Sequence, residues 1–177
     1  KTSSKKIISD NLFSFLDQEK IDFVFHLGGK TSYKNDFTNQ NLVFPQNLYR
    51  LCNEKNIPFV YASTSSTYGA GEHGYDDDES RIKLLQPLDD YGVSKNEFDK
   101  WILNQPKGGG FAGLKIFNVY GPNEYHKGAS RSVAFKSYFE IKETGKVVLY
   151  GSSTPSFGPG DQQRDFIYVK DVIRICC

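Results

Sequence analysis

Phe59-Val60-Tyr61-Ala62-Ser63-Thr64-Ser65-Ser66-Thr67-Tyr68-Gly69, followed across a polar stretch by Tyr91-Gly92-Val93-Ser94-Lys95, decides how this chain is read. The first segment has the composition of a buried strand, with Pro58 at its tolerated first position, and it leaves the sheet through a run of hydroxyls. The second places a tyrosine and a lysine four apart, on one face of a helix, where the ammonium can stand beside the phenol and favour its anion. Lowering a phenol from about 10 to about 7 takes roughly 4 kcal/mol, and one cation ~4 Å away supplies that at an effective dielectric of ~20. Tyr91 is therefore a candidate base, Lys95 its activator, and Thr64 a second hydrogen-bonding group for the same substrate oxygen. Tyr-x-x-x-Lys by itself arises on many helices by chance. The order strand, Ser/Thr cluster, Tyr-Gly, loop, then Tyr-x-x-x-Lys is what points to an enzyme.

Elements alternate on both sides of this pair. Leu12, Phe13 and Leu16 predict a short amphipathic helix, and Phe23-Val24-Phe25-His26-Leu27 a strand buried on both faces, ended by Gly28-Gly29. Leu48, Leu51 and Cys52 mark the next helix, and Ser94, Phe98, Trp101 and Ile102 the core side of a third. Gly108-Gly109-Gly110 leads into a strand Leu114-Lys115-Ile116-Phe117. Beyond Gly121 a helix is expected around Val133 to Ile141, a strand at Val147 to Tyr150, a loop over 151–160, a strand Phe166-Ile167-Tyr168 and a helix from Asp171. The alternation predicts an α/β fold with a doubly wound, parallel, Rossmann-like sheet, in which ligands bind beyond the carboxyl ends of the strands. Gly28, Thr64 and Asn118 fall at such ends.

With 177 residues the chain can bury one substantial core, and 22 Lys+Arg against 21 Asp+Glu imply no nucleic-acid surface. No apolar run is long enough to cross a bilayer. Cys52, Cys176 and Cys177 lack metal-ligand spacing and suit a reducing cytosol, so a cytoplasmic protein without a membrane partner is expected. The chain contains no methionine and stops as a helix begins, which reads as a fragment truncated at both ends.

Gly69-Ala70-Gly71-Glu72-His73-Gly74 matches Gly-x-Gly-x-x-Gly, but the fingerprint needs a helix opening at the turn. Here Tyr75-Asp76-Asp77-Asp78-Glu79 follows, a carboxylate cluster that repels phosphate. With His73 it reads as a solvated loop rather than as a metal site, and no metal is expected.

Phe117-Asn118-Val119-Tyr120-Gly121-Pro122-Asn123-Glu124-Tyr125-His126-Lys127-Gly128 and Arg164-Asp165-Phe166-Ile167-Tyr168-Val169-Lys170-Asp171-Val172 make the chain recognisable. It resembles the extended short-chain dehydrogenase/reductases, and among them the ADP-L-glycero-D-manno-heptose 6-epimerases, over roughly residues 20–175. The resemblance implies an NADP-dependent isomerase, with NAD the alternative, acting on a small-molecule nucleotide sugar of carbohydrate metabolism and lipopolysaccharide core biosynthesis. It divides the chain into residues 1–121, a dinucleotide-binding domain lacking its first β-α-β unit, residues 122–164, part of a substrate-binding region, and residues 165–177, a return segment. The longer parent is expected to be a homo-oligomer, and the fragment alone inactive.

By position, the resemblance makes Tyr91 the catalytic base, Lys95 its activator and a ribose ligand, and Thr64 the substrate-hydroxyl clamp. Lys127 becomes a second acid/base and a cofactor contact. Leu27, Gly28, Gly29, Lys30 and Thr31 match the turn that packs on the cofactor, with Asn41 and Val119 further contacts. Asn118, Ala129, Lys136, Tyr150, Ser153 and Arg164 resemble substrate ligands, Arg164 toward a diphosphate. The sequence departs from the pattern at Thr64, where serine is commoner, at Phe44-Pro45 in place of Gly-Thr, and at Ser130 in place of methionine.

Two acid/bases suit such a substrate. Oxidation of an exocyclic C6 alcohol gives a ketone that turns its other face by rotation about one bond. That rotation carries the oxygen out of reach of Tyr91, so a second proton donor is needed. Lys127 could supply it, with His126 the next candidate. The rivals are a 4-epimerase, a 4,6-dehydratase, and a non-catalytic nucleotide-binding protein. Dehydratases typically carry Asp-Glu directly after the catalytic threonine, whereas Ser65-Ser66 stand here.

Overall fold

The computed structural model describes residues 12–31, 38–149, 151, 152, 155 and 158–176. These residues form two compact units, divided between Lys115 and Ile116.

In the first unit the elements run α1 (Leu12–Gln18), β1 (Val24–His26), α2 (Phe44–Glu54), β2 (Phe59–Thr64), α3 (Asp90–Ile102) and β3 (Phe111–Ile116), the last ending at the division. A wide π-type turn, Thr38–Val43, runs directly into α2, where Pro45 occupies the first turn at no hydrogen-bonding cost. The sheet order is β1-β2-β3, and β1 pairs with β2 in parallel, Val24 opposite Phe59 and His26 opposite Tyr61.

The core lies where α2 and α3 cover β2. Leu48, Tyr49, Cys52, Ile57, Phe59, Tyr61, Phe98 and Ile102 form its buried cluster. Tyr49 meets Phe59, Trp101 and Phe111 edge-on with centroids 5.5 to 6.0 Å apart, a geometry that suits aromatic quadrupoles. Truncating a ring as enclosed as Phe98 would cost about 3–5 kcal/mol.

The expectation that Phe23 to Leu27 is buried on both faces is not met. Phe23 and Phe25 are 43% exposed and Leu27 51%. Among the described residues β1 is the edge of the sheet, with β2 its one neighbour, so a continuous apolar run here does not mean enclosure. Gly69 to Gly74 forms bends and turns rather than the start of an α-helix, and a 3-10 turn follows at Glu79–Leu84.

The second unit contains β4 (Asn118–Tyr120), α4 (Val133–Thr144), β5 (Phe166–Tyr168) and α5 (Val169–Cys176). β4 and β5 pair in parallel, with Asn118 opposite Phe166. Ser132 caps α4, its hydroxyl accepting from the Phe135 amide at 3.1 Å. The expected strand from Val147 is absent among the described residues: Val148 and Leu149 are 81% and 59% exposed, and the Val148 amide donates to the Glu140 carboxylate at 3.4 Å instead of to a ladder.

Candidate active site

The first unit brings Thr64, Tyr91 and Lys95 together. Thr64 ends β2 in extended backbone and caps the 3-10 turn Ser65–Tyr68. On that turn rests the start of α3. Asp89 caps the helix, its carboxylate accepting from the Gly92 amide at 2.6 Å. A Cβ on Gly92 would stand 2.8 Å from the Ser66 carbonyl oxygen, so only a glycine lets α3 approach this closely. The approach sets the Tyr91 phenol beside the Thr64 hydroxyl, which acts to lower the phenol's pKa.

One helical turn on, the Lys95 ammonium is buried and donates to the Ala62 carbonyl oxygen at 2.9 Å. Burial pulls its pKa below the usual lysine value, and the charge of Asp99 works against that loss. The Tyr91 phenol lies above its ordinary value, because burial outweighs the pull of the neighbouring Thr64 hydroxyl. The expectation that Lys95 brings the phenol down is therefore not met in the chain alone: desolvation is the larger effect on Tyr91.

Beneath the pair sits Asp99, 1% exposed. Its carboxylate accepts from the Tyr61 hydroxyl at 2.9 Å, the Ser63 hydroxyl at 2.7 Å and the Lys115 ammonium at 2.7 Å. Lys115 donates also to Thr67 at 2.7 Å, and Thr67 donates to the Thr64 carbonyl oxygen at 2.8 Å. A buried ion pair thus supports the backbone of Thr64 and places a negative charge one turn below Lys95. Sequence reasoning missed Asp99 and Lys115, although Tyr91, Lys95 and Asp99 follow one another at four-residue spacing.

Leu27 to Thr31 form an exposed turn beyond β1. A Cβ on Gly29 would stand 3.1 Å from Nζ of Lys95 and 3.2 Å from Oδ1 of Asn41, so the glycine lets the turn lie against both. Asn41 is 1% exposed. Its Oδ1 accepts from the Lys30 amide at 2.8 Å, and its Nδ2 donates to the Lys30 carbonyl oxygen at 2.9 Å and to the Ser94 hydroxyl at 3.1 Å. Ser94 in turn donates to the Tyr91 carbonyl oxygen at 2.7 Å. Asn41 therefore holds the turn to α3 with polar atoms that are all engaged inside the chain.

The remaining candidates lie in the second unit. Asn118 is exposed, and its amide and side chain both donate to the Asp165 carbonyl oxygen, at 3.2 and 3.0 Å. That pairing brings Arg164, exposed and bonded to the Gln163 carbonyl oxygen at 2.8 Å, to the same end of the two-stranded sheet. Val119 is half-buried in β4. Lys127 and Ala129 sit on the exposed 3-10 turn Tyr125–Ser130, and Lys136 is exposed on the first turn of α4. Lys127 pairs with Glu124 at 3.5 Å. Tyr150 and Ser153 lie outside the described residues.

A strand-end threonine beside a helical Tyr-x-x-x-Lys on a parallel α/β sheet is the arrangement that fold and site present together. The chain belongs to the NAD dependent epimerase/dehydratase family, whose profile matches residues 7–177. It is similar to an ADP-L-glycero-D-manno-heptose-6-epimerase of Fusobacterium nucleatum, 44% identical over 96% of this chain and 54% of the relative. A relative of the same description from Nitratidesulfovibrio vulgaris is 43% identical over 88% of this chain and 49% of its own length. Among solved structures, the Helicobacter pylori ADP-L-glycero-D-manno-heptose-6-epimerase matches with a TM-score of 0.77 at 25% identity, over 94% of this chain and 51% of that one. MoeE5, solved with UDP-glucose and NAD, matches with a TM-score of 0.63 at 28% identity, over 94% of this chain and 54% of that one. The chain spans about half the length of the curated relatives it matches.

The residues present fit the nicotinamide dinucleotide that the family name implies. The exposed turn over Gly28 and Gly29 presents bare backbone, with nothing within 4 Å of a Cβ on Gly28, and the buried Lys95 ammonium lies directly beneath Gly29. Among the described residues no helix is long and apolar enough to cross a membrane.

Proposed function

We propose that the full-length protein interconverts ADP-D-glycero- and ADP-L-glycero-D-manno-heptose at C6, using bound NADP, with NAD the alternative. The observation that carries this reading is the Thr64, Tyr91 and Lys95 arrangement in a chain 44% identical to a curated ADP-L-glycero-D-manno-heptose-6-epimerase. When bound, the dinucleotide supplies hydride removal at C6 and its return. Leu27 to Thr31, Lys95 and Val119 would hold it.

Tyr91 takes the C6 hydroxyl proton as the alcohol becomes a ketone, with Thr64 fixing the oxygen. Burial raises the phenol in the chain alone, and the Lys95 charge acts against that burial once the dinucleotide completes the site. The exocyclic carbonyl then turns about a single bond and presents its other face. Its oxygen has moved by more than the ~3 Å reach of a proton donor, so Lys127 protonates it there. Asn118, Ala129, Lys136, Tyr150, Ser153 and Arg164 bind the nucleotide sugar, Arg164 on the diphosphate. Ser65 and Ser66 offer no acid/base pair for elimination of water, which disfavours a dehydratase. The enzyme is a cytoplasmic homo-oligomer in this reading, serving lipopolysaccharide core biosynthesis.

The test is to incubate the full-length protein with each epimer and follow the C6 configuration by NMR. Both epimers should reach one equilibrium mixture without net redox change. Loss of water with no epimer formed would move the assignment to the dehydratases.

A further inference from the structure

Glu124 carries a carboxylate that the proposed chemistry does not use, and it is 3% exposed. Three donors hold it. Its Oε1 accepts from the Gly121 amide at 3.2 Å and the Ser132 hydroxyl at 2.7 Å, and its Oε2 accepts from the Ser132 amide at 2.7 Å. The carboxylate thus bolts the turn after β4 to the N-terminus of α4. Its fourth contact is the Lys127 ammonium, 3.5 Å from Oε2. The Lys127 side chain is 41% exposed, so one end of the pair is anchored while the other reaches the surface.

An ordinary surface ion pair joins two mobile side chains and fixes neither. Here the acid cannot move without breaking three hydrogen bonds, and burial raises its carboxyl less than the bonds from Ser132 and Gly121 and the charge of Lys127 lower it. The carboxylate is therefore a fixed negative point. A lysine ammonium has three N–H donors, and an ion pair at 3.5 Å leaves donors for a substrate oxygen. A proton donor on a four-carbon stem delivers its proton only when held within about 3 Å of its target. We infer that Glu124 is the positioning residue for Lys127: the buried carboxylate sets where the ammonium stands, and through it the placement of the second proton transfer. This rests on the two-base reading of the proposed function.

The experiment is a double-mutant cycle in the full-length enzyme with Glu124→Gln, Lys127→Ala and the pair, measuring kcat and KM for C6 epimerisation together with dinucleotide affinity. Glu124→Gln should lower kcat at least about 10-fold with KM and dinucleotide affinity within a factor of about three, and the double variant should be no slower than Lys127→Ala. If Glu124→Gln does not fold, Glu124→Asp carries the same comparison, because it keeps the charge and withdraws it by one methylene. Effects that multiply in the double variant, or a Glu124 variant at wild-type kcat, would overturn the inference and leave the two-base reading standing. A Lys127→Ala variant that epimerises at the wild-type rate would instead overturn the two-base reading itself.

Discussion

Asp99→Asn should be among the costliest single-atom changes in the first unit. The carboxylate is 1% exposed and accepts three hydrogen bonds, two from hydroxyls and one from the Lys115 ammonium, whose side chain is 15% exposed. An asparagine keeps one acceptor oxygen and turns an amide toward donors. Lys115 is left charged, nearly buried and without its counter-charge, with the Thr67 hydroxyl and the face of Tyr68, 5.2 Å away, as remaining partners. Removing one member of a buried pair costs about 3–5 kcal/mol. In a protein of this size that corresponds to a fall in Tm of roughly 6–20 °C. Lys115→Met should cost less, because Asp99 retains Tyr61 and Ser63. The double variant should recover part of the loss, giving a coupling energy of about 1–3 kcal/mol in urea unfolding. If Asp99→Asn lies within about 0.5 kcal/mol of wild type, or the two substitutions add, the ion pair does not hold the floor of the site as described.

Tyr91→Phe in the full-length protein should lower turnover by about 10²–10⁴-fold while dinucleotide affinity stays near wild type, and near-normal turnover would remove Tyr91 from the mechanism. His26 gives a pH dependence of stability: burial, then the charge of Lys95, lowers its pKa from 6.5 to about 4. Between those values the unfolded chain binds the proton and the folded one does not. Its contribution is therefore fully present above about pH 6.5 and lost as pH falls toward 4, by at most roughly 3 kcal/mol. His26→Phe should flatten that part of the urea-midpoint profile, and an unchanged slope would show that another group carries it.

Tyr91, Lys95 and Thr64 were legible because their chemistry depends on local spacing: four residues along one helix, and a hydroxyl at a strand exit. Asp99 stands at the next four-residue step, yet its role depends on Tyr61, Ser63 and Lys115 converging from two strands, which no local pattern records. The same limit explains β1, where a run of apolar residues shows that a strand forms but not how many neighbours it has. The state of the Tyr91 phenol in the chain alone was not legible, because counting charges omits burial, which raises it. Asn41 was legible as a residue of the site, but its two backbone bonds to Lys30 were not, because they join segments that no local pattern relates.

That arrangement at Asn41 has a mechanical meaning. Three short links, Lys30 to Asn41, Asn41 to Ser94 and Ser94 to the Tyr91 carbonyl, tie the glycine turn to the first turn of α3. Bonds of 2.7 to 3.1 Å have little slack, so an ångström of travel at the turn either breaks the chain of contacts or drags the helix with it. The two halves of the site thus share one registration, like parts cut on the same jig, and loss of the Asn41 amide would spoil alignment before it spoiled grip.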